Sequence, residues 1–350
     1  MIYRQPVFMK GLNIHLVNIA LMLISLAIAI YFPFQLFLFA YAVLGPLHYL
    51  TEIPWLHQKK YFTGNKNNLW IFLLLTCVIL LPGLMYYLFQ IFHLNNDYLL
   101  SKLKFLSQSR GSLIFAGLLL AAVLVYYNRR NMMLIILLSG CLIIFFYSHF
   151  KLYYLLTAVM LPTLIHVYFF TLCFISYGVI KSKSLYGAGE VLVLLLVPVI
   201  IYFLPLDNIR YSLADEAFSQ YVSTGFRRVN TGVGFIMGID EPGTLFMRSS
   251  AGIRIQIFIA FAYLYHYLNW FSKVSLIGWL KDTSGRRISL IVFLWLASVA
   301  LYWYDYKIGL SALFFLSLSH VILEFPLNVV SIRGVGLFVY MKLKKVVSSI

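Results

Sequence analysis

Apolar side chains fall in long unbroken blocks along this chain, separated by short polar segments rich in Lys and Arg. Crossing the hydrocarbon of a bilayer takes a helix of ~20 residues, and ten blocks meet or approach that length: residues 12–32, 34–51, 69–91, 112–127, 132–149, 152–179, 190–206, 252–271, 287–304 and 308–325. The block at 112–127 is short, and 152–179 is long enough to tilt or to bend at Pro162. The pattern predicts an all-α, polytopic transmembrane helix bundle of about ten spans. The first block has no small-residue cleavage site and reads as a retained span.

Composition agrees with the pattern. The chain is 62% apolar and 11% charged, with a mean hydropathy of +0.89. With ten spans and a cytoplasmic N-terminus, 17 of the 27 Lys and Arg fall in cytoplasmic segments, and every inner loop holds at least two. The positive-inside rule then puts both termini in the cytoplasm. The net charge of +16 is explained by basic loops facing an anionic leaflet, so no nucleic-acid partner is needed. The cell (inner) membrane is the expected location. Residues 1–350 read as a single integral membrane domain, with 207–251 as a long outer loop containing a short helix (ADEAFSQYV) and a Gly-rich hairpin. The segment NNDYLLSKLKFLSQSRG reads as an interfacial amphipathic helix. Cys77, Cys141 and Cys173 each sit within an apolar block and read as small core residues.

The motif His-x-x-x-Glu-x-Pro occurs twice, at His48–Pro54 and at His320–Pro326. Two of the five glutamates therefore stand four positions after a histidine, a spacing that puts both side chains on one helix face. The following prolines, Pro54 and Pro326, predict that each helix ends or kinks there. Both copies fall on spans that run from outside to inside, so they share the cytoplasmic side. His266, with Tyr263, Tyr267 and Asn269 within a turn of it, lies near the inner end of the block 252–271. His48, Glu52, His266, His320 and Glu324 together form a set that can hold Fe, Mn or Zn. His57, His166, Glu190 and Asn269 are possible additions. His166 reads more simply as a pathway or packing residue, Glu190 as a helix N-terminal charge, and His15 and His93 as incidental.

Around His48 the segment GPLHYLTE resembles the Pro-His-Gly-x-x-Asp motif of the bacteriorhodopsin-related β-carotene dioxygenases, with Tyr49 in place of the glycine and Glu52 in place of the aspartate. That resemblance implies a multispanning iron enzyme that uses O2 as co-substrate on a hydrophobic, isoprenoid-like molecule. A second stretch, Lys273–Asp282 followed by His320, is similar to the membrane-bound O-acyltransferases and implies His320 as a general base. A third reading, a proton-coupled transporter, would use the same His and Glu residues as a relay.

The leading expectation is a metal-dependent oxidoreductase embedded in the lipid bilayer and acting on a hydrophobic small molecule. Glu52 and Glu324 would ligate the metal or orient its histidine ligands. Reporter fusions test the topology: at Asn65 and Lys181 they should report the cytoplasm, and near Ser219 the outside. External readings at the first two would reverse the orientation.

Overall fold

The computed structural model describes residues 7–64, 68–93, 96–126, 138–140, 142, 150–209, 211–239, 243–273 and 284–347. Every regular element among them is helical, and no strand occurs among them. The helices are α1 (Val7–Tyr31), α2 (Pro33–Phe39), α3 (Gly45–Gln58), α4 (Asn68–Ile91), α5 (Asp97–Gln108), α6 (Arg110–Tyr126), α7 (Lys151–Tyr154), α8 (Thr171–Ser182), α9 (Leu185–Phe203), α10 (Asp215–Ser223), α11 (Arg227–Ile236), α12 (Ser250–Lys273), α13 (Gly285–Tyr304) and α14 (Tyr306–Val347). Two π-helices, Ala40–Leu44 and Leu155–Phe170, join α2 to α3 and α7 to α8.

Seven helical stretches among the described residues are long and apolar enough to cross a membrane: Ile14–Tyr31, Pro33–Gln58, Asn68–Gln90, Lys151–Ser182, Leu185–Phe203, Gly285–Tyr304 and Tyr306–Val347. The pair α5 and α6, bent by 50°, makes an eighth if counted as one span. Each overlaps a predicted block, which is the behaviour of a multi-pass membrane protein, although Pro33–Gln58 and Tyr306–Val347 run well past the blocks at 34–51 and 308–325. The block 132–149 lies almost wholly outside the described residues. The block 252–271 forms α12, which does not reach the hydropathy of the seven.

Neither proline of the repeated motif ends its helix. The helix α3 continues through Pro54 to Gln58, and α14 continues through Pro326 for 42 residues in all, about 63 Å at 1.5 Å per residue. A proline removes one intrahelical donor, a loss that neighbouring helices and side chains can offset inside a membrane protein.

The chain divides into two compact units, Met1–Thr51 with Val167–Leu310 and Ser331–Ile350, and Glu52–His166 with Ser311–Val330. The first unit is organised on α12, which buries sixteen of its 24 residues. Helices α1, α2, α9 and α11 and the π-helix Ala40–Leu44 pack around it. Gly45 is small where this packing is closest, because a Cβ there would stand 3.2 Å from the Tyr267 hydroxyl.

The helix predicted within residues 207–251 is α10. The Gly-rich stretch after it, expected as a hairpin, is instead the helix α11. Tertiary bonds outweigh the poor helix propensity of its glycines. Tyr221 donates to Asn230 Oδ1 at 2.6 Å, Asn230 donates to Gln256 Oε1 at 2.9 Å, and Gln256 donates to the Pro33 carbonyl at 3.0 Å. This buried polar chain ties α10, α11, α12 and α2 together, and Arg248 pairs with Asp215 at 2.7 Å on its exposed side.

In the second unit α4, α5 and α6 pack on one another. The amphipathic segment expected after the third block is α5, capped by Asn96, which accepts from the Leu99 N–H at 3.0 Å. A Cβ on Gly117 of α6 would meet Leu75 at 2.7 Å and the Phe325 ring at 3.5 Å. Below α3 the chain reverses through a left-handed turn, with φ of 51°, 52° and 54° at Lys60, Tyr61 and Phe62. Each non-glycine residue in that region costs roughly 1–2 kcal/mol. The buried Tyr61, bonded to His57 at 2.9 Å, holds the turn in place. Lys60 is exposed, so Lys60→Gly should relieve strain without losing packing and stabilise by up to ~1 kcal/mol. The measurement is the thermal midpoint in detergent. An unchanged or lowered midpoint would contradict the assignment of strain to this turn.

Candidate functional site

Three clusters of buried polar side chains stand out, one in the second unit and two in the first. In the second unit the π-helix Leu155–Phe170 presents His166, and α14 presents His320 and Glu324. The π-helix is centred on Pro162, which cannot supply an α-type N–H, and its wider turn is of the kind that recurs at functional sites. Thr157 and Thr163 bond back to the Tyr153 and Val159 carbonyls and support the altered path.

His166 Nδ1 lies 3.2 Å from Glu324 Oε2. The His166 and His320 rings meet edge to face, with centroids 5.2 Å apart, and their ligating nitrogens come within 4.8 Å of each other. Glu52 of α3 is close enough to Glu324 for the two carboxylates to interact electrostatically. All four residues are buried, as is Asn328 one turn beyond Glu324. Two imidazoles and at least one carboxylate thus gather in an apolar setting. This is the donor combination of two-His, one-carboxylate iron sites.

In the first unit His48 and His266 are paired, Nε2 to Nε2, at 3.1 Å, with rings 4.7 Å apart at 73°. His266 Nδ1 also meets Thr171 Oγ1 at 2.8 Å. The Trp270 indole donates to Thr51 Oγ1 at 2.9 Å and packs edge-on to His48 at 5.6 Å. Two readings fit the 3.1 Å separation. One imidazole can donate a proton to the other, with Thr171 fixing the tautomer of His266. Alternatively, both nitrogens can face one metal, since two ligands at ~2.1 Å from an ion and about 90–110° apart are separated by ~3.0–3.4 Å.

The third cluster surrounds Glu190 of α9, which is fully buried. His15 Nδ1 of α1 stands 2.5 Å from Glu190 Oε2, and Lys273 Nζ of α12 stands 3.7 Å from Oε1. Tyr265 donates to Oε1 at 3.4 Å, and Lys273 donates to Asn269 Oδ1 at 2.6 Å. Ser272 and Asn18 extend the network by a 2.9 Å bond.

Each unit brings some of the expected residues together. The first unit joins His48 to His266, and the second joins His320 and Glu324 with Glu52. His166, read from sequence as pathway or packing, belongs with His320 and Glu324. Glu190 is a buried ion-pair residue rather than a helix-end charge, and His15 is its partner rather than incidental. Asn269 serves Lys273 in that network, and His57 pairs with Tyr61. Burial pushes the Tyr61 phenol, outside the spans, up to about 12. The Lys273–Asp282 motif lies outside the described residues apart from Lys273 itself. Lone histidines in apolar blocks carry no periodic signal, so His15 and His166 gave no sequence warning of their partners. No family model, no curated protein and no solved structure matches this chain.

The ion-pair cluster yields a test of stability. Glu190→Leu leaves the Lys273 ammonium without its carboxylate and should destabilise by roughly 3–5 kcal/mol, whereas Glu190→Leu with Lys273→Met should recover most of that loss. Thermal unfolding in detergent reads both, and equal losses in the single and double variants would show that the two do not act as a pair.

Proposed function

We propose that the protein is a membrane-embedded, metal-dependent oxidoreductase acting on a hydrophobic lipid or isoprenoid molecule, with iron as the metal (Mn or Zn being alternatives of the same donor class) and O2 as co-substrate. The observation that carries this reading is the buried grouping of His166, His320 and Glu324, with Glu52 beside it. Two histidines with a carboxylate suit Fe(II) while leaving coordination positions open. His166, His320 and Glu324 would hold the metal, and Glu52 would complete or orient the set. Within the first unit, the His48–His266 pair holds its two nitrogens at a ligand-like separation of its own. Bound iron would supply the one-electron chemistry with O2 that amino-acid side chains lack.

The chain's own residues would do the rest. The surrounding apolar helices would admit a hydrophobic substrate from the bilayer and keep water from the site. Thr171, held on His266 Nδ1, would fix that ring's orientation. The short likeness of GPLHYLTE to the bacteriorhodopsin-related β-carotene dioxygenases points to the same class of chemistry. We place ten spans in the inner membrane, with both termini cytoplasmic, on the distribution of Lys and Arg.

A second reading, proton-coupled transport, is favoured by one observation, the buried His15–Glu190–Lys273 network. The test separates these readings. Purified protein should carry iron, and His320→Ala and Glu324→Ala should each lower its content at least tenfold and abolish O2 uptake with lipid substrate. Wild-type protein that is active without metal would overturn the oxidoreductase reading. Acyl-CoA consumption without O2 uptake, lost in His320→Ala and kept in His48→Ala, would favour acyl transfer. Activity lost in Glu190→Gln and kept in both metal-site variants would favour transport.

A further inference from the structure

A group of tyrosines in the first unit takes no part in the hydrogen bonds and ion pairs of the three clusters. Tyr263 and Tyr267 come from α12, Tyr302 from α13, Tyr306 from the start of α14, and Tyr41 from the π-helix Ala40–Leu44. Their rings run in close succession. Tyr267 to Tyr263 is 6.3 Å between centroids, Tyr263 to Tyr41 is 6.1 Å, Tyr41 to Tyr302 is 6.5 Å, and Tyr302 to Tyr306 is 5.0 Å.

Tyr263, Tyr267 and Tyr302 are 3%, 5% and 7% exposed. A phenol buried to that degree normally has a hydrogen-bond partner. Tyr306 has one, donating to the Leu38 carbonyl at 3.2 Å. The hydroxyls of Tyr263, Tyr267 and Tyr302 make no hydrogen bond to any described residue. Three phenols from two helices thus gather in one aromatic region without a hydrogen bond of their own to a described residue. Aromatic faces surround it: Phe37 stacks on Tyr41 at 5.8 Å and meets Tyr263 at 4.8 Å, and Phe226 meets Tyr41 at 4.7 Å.

We propose that this phenol cluster binds the head of a lipophilic molecule whose flat ring bears carbonyl oxygens, of the quinone or cyclic enone class. The carbonyls would accept from Tyr263, Tyr267 and Tyr302, and the ring would pack between aromatic faces. A head with no oxygen would leave the hydroxyls unpaired and is selected against, because leaving buried donors unpaired is what gives polar pockets their discrimination. The assignment names a substrate class for the oxidoreductase reading and rests on it. Tyr267 also reaches the His48 ring at 5.3 Å and the His266 ring at 5.5 Å, so the cluster adjoins the histidine pair of the same unit.

The test uses the full chain in lipid nanodiscs, with decyl-1,4-benzoquinone as probe, decylbenzene as its oxygen-free control, and titration calorimetry as readout. Wild-type protein should bind the quinone well above the control. Tyr263→Phe and Tyr302→Phe keep their rings and lose only the donor, and each should weaken quinone binding about tenfold while leaving decylbenzene unchanged. Iron content should stay at the wild-type level in both, which separates this site from the metal site. Tyrosine-dependent quinone binding by a protein without iron would support the site while the oxidoreductase reading fails. Equal binding of quinone and control, or quinone affinity unchanged in both variants, would overturn the proposal. A raised thermal midpoint with unchanged quinone affinity would overturn it too, by showing that the hydroxyls had held water alone.

Discussion

A polar side chain inside an apolar bundle must find its partner on another helix, because the bilayer supplies none. That constraint orders both units of this protein. Glu190 is fully buried, and its two oxygens are shared among His15 of α1 and Tyr265 and Lys273 of α12. Three helices are thereby fixed in rotation and depth by one carboxylate. The His166–Glu324 contact does the same between the π-helix Leu155–Phe170 and α14. Uncompensated buried charge is costly enough that such contacts decide which rotation each helix adopts, while apolar packing alone tolerates several.

Helix α12 shows how far this goes. By hydropathy it falls below the other seven, yet it buries more of its length than any neighbour that packs on it in the first unit. Its polarity is turned inward and its polar groups bond to neighbouring elements: Gln256 to the Pro33 carbonyl, His266 to Thr171 and His48, and Trp270 to Thr51. A helix ringed by others need not present an apolar surface to lipid, so its sequence is free to carry chemistry.

The spans were legible in the sequence because their signal is length and continuity of apolar residues, which the bilayer itself imposes. The paired motif was legible as far as its spacing, and both copies are helical through His48 and Glu52 and through His320 and Glu324. Helix ends were not. Pro54 and Pro326 carry a strong local stop signal, but both helices run on because the surrounding structure can offset one missing donor. The π-helix around His166 left no trace except Pro162, since its wider turn depends on what packs beside it. His166 and His15 were undervalued for a related reason: a single histidine in an apolar block has no pattern, and its partner lies far along the chain. Glu190 lies 175 positions from His15, and Glu324 lies nearly as far from His166.

The repeated His-x-x-x-Glu unit invites the reading that each histidine simply bonds the glutamate one turn away. The partners seen in the two units argue for a different use. His48 meets His266 of α12, and Glu324 meets His166 of the π-helix. In each copy at least one member of the pair therefore reaches a neighbouring helix. A donor set assembled from several helices is held more rigidly than one offered by a single helix face, because any change in its geometry must move packed elements against one another. Rigidity of that kind is what a metal site needs to keep open positions open, and a purely structural helix-end bond would not require it. Asn328, buried one further turn along α14 from Glu324, extends the polar face by a neutral group where a third carboxylate would add repulsion to the Glu52–Glu324 pair.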